Sequence, residues 1–98
     1  MLIETYTYKV PKNKIDRYLD IQRRVRRIYL RHGCLGYEVF KGDDEYWLEI
    51  NKFKSKEHYE NVKNYVDVDP EIEILWNEFC SIVEKEKSVT RKYEKSFD

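Results

Sequence analysis

The stretch RRIYLRHGCLGYEVFKGDDEYWLEINKF, residues 26–53, changes its hydrophobic period partway along. Its first residues continue an amphipathic helix that reaches Arg31, and Gly33 and Gly36 predict the end of that helix. Beyond them the pattern alternates as in a β-hairpin: a strand over residues 35–41, a turn at Gly42, Asp43 and Asp44, and a strand over residues 45–53. A helix that leads directly into a hairpin narrows the choice of fold to a few α+β topologies.

The flanking segments complete one topology. They predict a strand over residues 2–10, a helix from Asn13 as N-cap to Arg31, a helix from Ser55 as N-cap to about Tyr65, a helix from Pro70 to about Lys87, and a strand over residues 89–97. The order β-α-β-β-α(α)-β predicts a ferredoxin-like α+β fold with an antiparallel sheet and helices on one face. We expect one domain over residues 1–98, since no linker or repeat interrupts the chain.

Each strand divides into two faces. In the first strand Leu2, Glu4, Tyr6, Tyr8 and Val10 share one face. In the third strand the apolar face, with Tyr46, Leu48 and Ile50, is expected to meet the helices. The opposite face, with Trp47, Glu49 and Asn51, is then expected to lie away from the helices, together with Glu4, Tyr6 and Tyr8. The last helix has an apolar stripe expected to lie in the core: Ile72, Leu75, Trp76, Phe79, Ile82 and Val83.

The composition excludes several classes of protein. The chain has 19 basic and 19 acidic residues, whereas nucleic-acid-binding domains usually have a basic excess. It has neither an apolar run of about 18 residues nor a signal-peptide pattern, so we expect a cytoplasmic protein without membrane contact. The 39% charged residues and the lack of alanine suit a thermophile, although codon bias in an AT-rich genome is an alternative. Cys34 and Cys80 have no metal-site spacing; free thiols are expected, with a disulfide as the alternative.

The first helix carries an arginine-rich face that consists of Arg17, Arg23, Arg24, Arg27 and Arg31. On a helical wheel this face lies opposite the apolar stripe, so solvent is its expected partner and an acidic or nucleic-acid partner is the alternative. Arg26 and Gln22 fall instead within the apolar stripe. Polar groups in such positions need partners, which a carboxylate on the sheet, a pocket or an interface could supply. Otherwise Arg26 extends to solvent from a partly exposed edge.

RNA-recognition domains share this order of elements. Their third strand carries a glycine-containing aromatic signature. Here the similar segment LGYEVF lies on the second strand, and the third strand has no glycine but has Glu45 and Glu49, which repel phosphate. Nucleic acid is therefore not the expected partner.

Several short motifs together resemble the dimeric α+β barrel superfamily, which includes antibiotic-biosynthesis monooxygenase-like and NIPSNAP-like domains. The resemblance covers roughly residues 5–80 and is greatest to a small uncharacterised bacterial and archaeal family within the superfamily. The matching positions are Val10, Pro11 and Lys12; His32, Gly33, Leu35, Tyr37 and Glu38; Ser55 and Lys56; and Asp69 with Pro70.

The resemblance implies a homodimer in which two four-stranded sheets pack face to face, with helices outside. It also implies a pocket between sheet and helices or at the barrel mouth. Some members oxidise aromatic polyketides without a cofactor, and others bind or degrade haem. Haem-degrading members depend on an asparagine in the first strand, where this chain has Thr5 and Thr7, so haem degradation is not expected.

These considerations give a set of candidate site residues. The hypothesis is a homodimer, assembled through the open sheet face, that binds a small molecule. It would act as a cofactor-independent monooxygenase or isomerase on an aromatic or apolar compound. No metal or cofactor is expected. The alternative is a non-enzymatic regulatory or nucleic-acid-contacting module that uses the arginine-rich face. The predicted catalytic residues are His32, His58, Arg26 and Tyr8, with histidine as base and Arg26 holding an anionic group. The predicted ligand-binding residues are Tyr6, Gln22, Trp47 and Glu49. His32 could instead stabilise the helix C-terminus, and the Trp47 face could instead be the core of a dimer.

Overall fold

The structure is a computed structural model that describes residues 1–84 and 88–97. Its elements follow the predicted order: β1 (Leu2–Lys9), α1 (Ile15–Arg31), β2 (Gly36–Lys41), β3 (Tyr46–Phe53), α2 (Lys56–Asp67), α3 (Pro70–Ile82) and β4 (Val89–Glu94). The four strands form one antiparallel sheet in the order β2-β3-β1-β4. The expected ferredoxin-like α+β fold is therefore confirmed. No helix in the described residues is long and apolar enough to cross a membrane.

The helix boundaries follow local hydrogen-bonding chemistry. Ser55 caps α2 as predicted, because its hydroxyl accepts a hydrogen bond from the backbone N–H of His58 at 3.1 Å. Pro70 opens α3, and the side chain of Asp69 caps that helix. Gly33 follows α1 with a φ of +100°, a conformation that glycine adopts without strain.

Several boundaries differ from the prediction; the last strand, expected over residues 89–97, ends at Glu94. Asn13 is not the N-cap of α1; it lies inside a 3-10 turn, Lys12–Lys14, and α1 begins at Ile15 with no side-chain cap. The helix α3 ends at Ile82 because Val83 has an extended backbone. The expected end near Lys87 falls on residues 85–87, which lie outside the described residues.

The assignment of the two sheet faces was wrong. The face with Trp47, Glu49, Asn51 and Phe53 is buried, and it packs beneath the helices, where Trp47 contacts Tyr18 of α1 at 5.0 Å between ring centroids. We call this the inner face. Through the strand register it also includes Leu2, Glu4, Tyr6 and Tyr8 of β1 and Tyr37 and Val39 of β2.

The opposite face of the sheet, which we call the open face, has no helix over it among the described residues. Leu48 and Ile50 at its centre are only partly buried, and the register aligns them with Thr7 and Thr5 of β1. Phe40 of β2 remains 46% exposed. The sequence did not reveal this because both faces of β3 carry large apolar or aromatic side chains.

The helices fill the space above the inner face. The stripe of α1 buries Tyr18, Ile21, Ile28 and Tyr29, and all six arginines of the helix are exposed. In α3 the predicted core stripe holds for Leu75, Ile82 and the following Val83, whereas Trp76 is 57% exposed. Cys34 and Cys80 are free thiols.

Candidate functional site

A cavity of about 470 Å³ lies between the inner face of the sheet and the three helices. Most of its wall is aromatic or aliphatic, with a few polar groups and charged residues. The lining residues are Tyr6, Gln22, Val25, Tyr29, Tyr37, Glu49, Lys63, Val66, Asp67, Ile72, Glu73, Trp76 and Phe79. An apolar cavity of this size with a small number of fixed polar groups is typical of small-molecule sites.

Glu49 is the polar centre of the cavity wall. It projects from the middle of β3 and is only 7% exposed. Its Oε1 accepts a hydrogen bond from the Tyr8 hydroxyl at 3.1 Å, and its Oε2 accepts one from Asn51 Nδ2 at 3.1 Å. Both carboxylate oxygens are therefore held in place by donors from the same sheet.

A chain of hydrogen bonds extends from Glu49 to the first helix. Gln22 Nε2 donates to the Tyr8 hydroxyl at 3.2 Å, and the Tyr37 hydroxyl donates to Gln22 Oε1. The hydroxyls of Tyr8 and Tyr18 lie 2.6 Å apart. This network provides hydrogen-bond partners for Gln22 and for the hydroxyls of Tyr8, Tyr18 and Tyr37. The Oδ1 atom of Asn51 is buried without a partner among the described residues.

The protonation of Glu49 reflects its burial. Burial raises its pKa from the ordinary value of 4.5, and the hydrogen bonds from Asn51 and Tyr8 oppose the rise without cancelling it. Burial and the nearby Glu49 also raise the pKa of Tyr37. A buried carboxyl group that faces a cavity and has a raised pKa is a candidate for proton transfer, because burial makes its carboxylate form a stronger base than a carboxylate in water.

A second buried carboxylate lies on the neighbouring strand. Glu4 pairs in register with Asn51, and its two oxygens accept hydrogen bonds from the hydroxyls of Tyr6 at 2.5 Å and Tyr59 at 2.7 Å. These bonds tie β1 to α2. They also hold the hydroxyl of Tyr6, which lines the cavity.

Lys63 and Tyr29 form a polar pair at the α2 side of the cavity. Lys63 Nζ donates to the Tyr29 hydroxyl at 3.0 Å. Burial lowers the pKa of Lys63, but its interactions with Tyr29 and with Glu4 outweigh that effect and raise the pKa above its ordinary value. Burial raises the pKa of Tyr29, and Lys63 partly offsets the rise. The pair therefore presents an ammonium group beside a neutral phenol, which suits the stabilisation of a developing negative charge.

Three of the four predicted ligand-binding residues lie together in this wall: Tyr6, Gln22 and Glu49. Trp47, the fourth, packs against Tyr18 outside the cavity lining, and its Nε1 has no hydrogen-bond partner among the described residues. Tyr8, predicted as catalytic, is fully buried behind Glu49 and bonds to it.

The other predicted catalytic residues lie outside the cavity lining. His32 Nε2 lies 3.1 Å from Asp69 Oδ2, which joins the end of α1 to the start of α3. His58 Nδ1 accepts a hydrogen bond from the backbone N–H of Lys54 at 2.9 Å. Arg26 is exposed and donates from Nε to the backbone oxygen of Tyr37 at 3.1 Å. Each of these three side chains therefore binds another part of the fold and does not line this cavity.

Sequence reasoning missed several residues of the cavity. Tyr37 was named only as a position of the family resemblance, and Trp76 was assigned to the core stripe of the last helix. Lys63 could have been noticed, because it directly follows the buried Val62 and lies one helical turn after Tyr59. A lysine on the inward side of a short helix needs a polar or charged partner, and here the Tyr29 hydroxyl is one.

The structure is similar to solved structures over nearly its whole length. An uncharacterised NIPSNAP domain protein from Burkholderia xenovorans matches with a TM-score of 0.75 and 15% identity, over 98% of this chain and 95% of the other. An antibiotic biosynthesis monooxygenase matches with a TM-score of 0.76 and 13% identity, over 97% and 98%. A conserved protein from Methanosarcina mazei Go1 matches with a TM-score of 0.78 and 13% identity, over 98% and 94%.

These matches agree with the superfamily that the sequence motifs resemble, and at such identities they establish the fold alone. No protein-family model and no curated protein sequence matches the chain.

Proposed function

We propose that the chain binds a small aromatic or apolar molecule in the cavity above the inner face and transfers a proton on it through Glu49. The observation that carries this proposal is the buried Glu49 carboxyl group, which lines a mostly apolar cavity and has a raised pKa. A general base or acid works best when its pKa lies near the working pH. The similarity of the fold to that of an antibiotic biosynthesis monooxygenase is consistent with a small-molecule site.

Two reactions follow from removal of a proton by Glu49. Loss of a proton from an acidic C–H group or a phenol leaves an electron-rich anion in the cavity. Return of the proton to a different carbon is an isomerisation. If the anion instead reduces O₂, a CH₂ group becomes a carbonyl: one oxygen atom enters the product and the other leaves as water. The substrate then supplies the electrons, so no cofactor is required.

Tyr29 and Lys63 would support either reaction. The deprotonated substrate carries charge on oxygen when the acidic carbon lies next to a carbonyl. The Tyr29 hydroxyl, polarised by Lys63 at 3.0 Å, can donate a hydrogen bond to that oxygen. Such a donor, fixed before the reaction begins, stabilises the transition state more than the ground state.

Hydrogen exchange on a model substrate tests the proposal. The probes are 2-tetralone and anthrone, which are fused-ring ketones with acidic benzylic C–H groups. We expect binding to quench tryptophan fluorescence, since Trp76 lines the cavity. In D₂O we expect the protein to accelerate C–H exchange by about 10²-fold over buffer, as measured by NMR. An oxygen electrode then distinguishes oxygenation of anthrone from simple exchange.

Glu49→Gln should bind the probes and lose the acceleration, because the amide cannot accept the proton. Glu60→Gln, on the exposed surface of α2, is the matched control and should behave like the unmodified protein. Equal exchange in both variants, or no binding of either ketone, would contradict the proposal.

The same function would include a homodimer formed through the open face. Apolar side chains at the centre of that face, such as Leu48 and Ile50, remain only partly buried in the single chain. An exposed sheet face of a monomer usually carries polar residues. A second copy packed on this face would cover the apolar residues and would leave the cavity on the outer, helical side of each subunit.

A further inference from the structure

A second cavity of about 410 Å³ lies on the other side of α1, at the free edge of β2. It is lined by Leu19, Gln22, Arg23, Arg26, Tyr37, Glu38, Val39 and Phe40, and we call it the Arg23–Arg26 groove. The residues of α1 in this list occupy positions i, i+3, i+4 and i+7 from Leu19, so they form one stripe along the helix. Gln22 and Tyr37, which are hydrogen-bonded to each other, line both cavities and separate them.

The two arginines of the groove have unused hydrogen-bonding capacity. Arg24 forms an ion pair with Asp20 at 3.3 Å, and Arg31 forms one with Asp69 at 2.6 Å. Arg23 has no ion pair among the described residues. Arg26 uses only its Nε, toward the Tyr37 backbone oxygen, so its terminal nitrogens have no partner there either.

The acidic residue of the groove does not neutralise these guanidinium groups. Glu38 Oε1 accepts a hydrogen bond from Lys52 Nζ at 3.1 Å, on the neighbouring strand. No ion pair links Glu38 to an arginine in the described part of the chain. The groove therefore holds two guanidinium groups beside a carboxylate that is already paired, and it attracts an anion.

The rest of the groove is apolar. Leu19 and Val39 are partly buried, and Phe40 is 46% exposed. A hydrated inorganic anion would use the arginines and leave this surface in contact with water. A ligand with a hydrocarbon body and one carboxylate uses both parts, because a guanidinium binds a carboxylate with two parallel hydrogen bonds.

We propose that the Arg23–Arg26 groove is a second binding site, for a small carboxylate with an aromatic or aliphatic body. The site is separate from the cavity of Glu49, because the Gln22–Tyr37 pair lies between them. The carboxylate binds at Arg23 and Arg26, and the hydrocarbon body packs on Leu19, Val39 and Phe40.

Titration calorimetry with 2-naphthoate and its uncharged analogue 2-naphthalenemethanol tests the proposal on the full chain. We expect Arg23→Gln to weaken the binding of naphthoate about tenfold, because one charge-assisted contact is lost. The binding of the uncharged alcohol should change little. Arg23 has no partner among the described residues, so its replacement should leave the melting temperature unchanged. The double variant Arg23→Gln/Arg26→Gln should bind naphthoate more weakly still.

Two control variants separate this site from its alternatives. Arg27→Gln removes an arginine of the same helix that does not line the groove, and it should bind naphthoate like the unmodified protein. Lys63→Met removes the ammonium group of the other cavity and should also leave naphthoate binding unchanged. If Arg23→Gln and Arg27→Gln weakened naphthoate binding equally, the net charge of the protein rather than the groove would explain the effect, and the proposal would be wrong. Loss in Lys63→Met alone, or no binding of naphthoate at all, would overturn the proposal.

Discussion

The two faces of the sheet show how the same strand alternation produces two different surfaces. The inner face carries the polar residues Glu4, Glu49 and Asn51, and all three are buried. The open face is apolar at its centre, with Leu48 and Ile50, and it is only partly buried. The polar face is thus the one inside the protein. Burial of carboxyl groups is unfavourable unless donors surround them, and here tyrosines, an asparagine and a glutamine provide those donors.

This difference indicates separate roles for the two faces. Buried polar groups next to a cavity are suited to chemistry, since their positions are fixed and their pKa values are shifted. Partly exposed apolar groups are suited to association. Three predictions test this contrast, and a fourth compares it with a carboxylate outside both faces.

The largest effect is expected from loss of a packed side chain on the inner face. Phe53 is completely buried and contacts the ring of Tyr59 at 5.0 Å between centroids. Phe53→Ala should lower the free energy of unfolding by about 3–5 kcal/mol, because it leaves a cavity. Urea denaturation followed by circular dichroism measures the change. Ile50→Ala on the open face should lower it by only ~1–2 kcal/mol at low protein concentration; an equal loss in the two variants would remove the contrast.

The next effect concerns association through the open face. Ile50→Lys puts a charge at the centre of the proposed dimer interface. Light scattering on a sizing column should give about twice the 12.1 kDa chain mass for the unmodified protein and a single chain mass for this variant. Asn61→Lys adds the same charge on the exposed surface of α2 and should keep the dimer. A monomeric unmodified protein would show that the open face has no second copy on it.

A smaller effect should appear in the pH dependence of stability. The pKa of Glu49 is raised in the folded protein above the ordinary value of 4.5. The unfolded chain therefore releases this proton at lower pH than the folded one, so stability from this group is full below about pH 4.5 and is lost as the pH rises through the folded pKa. Relative to Glu49→Gln, the unmodified protein should become progressively less stable over that interval. Parallel stability curves for the two proteins would contradict a buried, titrating carboxyl group.

The smallest effect is expected at a carboxylate outside both faces. Hydrogen bonds from His32 and Arg31 lower the pKa of Asp69 below its ordinary value of 3.8. Its contribution to stability is present above that value and is lost as the pH falls through the folded pKa, the opposite direction to Glu49. Asp69→Asn keeps a side-chain oxygen to cap α3. Its melting temperature should therefore be only slightly below that of the unmodified protein at pH 7, and the difference should vanish in acid. Thermal unfolding at both pH values measures the difference.

Much of the fold could be predicted from local chemistry. The hairpin after Gly33, the cap at Ser55 and the start of α3 at Pro70 all depend on residues next to one another in the chain. Asn13 shows the limit of this reasoning: its residue type suits a helix cap, but the chain first makes a 3-10 turn there. The isolated polar position of Gln22 in an apolar stripe correctly indicated a buried partner, although not which one.

The candidate site could be predicted only in part. Gln22 was singled out as a polar residue in an apolar stripe, and Tyr6 and Glu49 as neighbours of Trp47 on a face expected to lie away from the helices. All three line one cavity, but it lies beneath the helices. His32 was chosen as a titratable residue at the end of the first helix, and His58 as one on the inner side of the short helix. Their surroundings, an aspartate and a backbone N–H group, depend on how the helices meet and are not visible in the spacing of residues.

The sequence by itself determined the order of the elements, the antiparallel sheet and the solvent-facing arginines, because periodicity and caps act over a few residues. Only the tertiary structure decided which face of the sheet the helices cover. Alternation divides a strand into two faces without saying which one is buried. That choice rests on hydroxyl and amide groups distant in sequence: Tyr59 reaches Glu4, and Gln22 joins Tyr37 to Tyr8 beside Glu49. These contacts offset the cost of burying the polar groups of the inner face, and Gln22, Tyr37 and Glu49 also line the cavity.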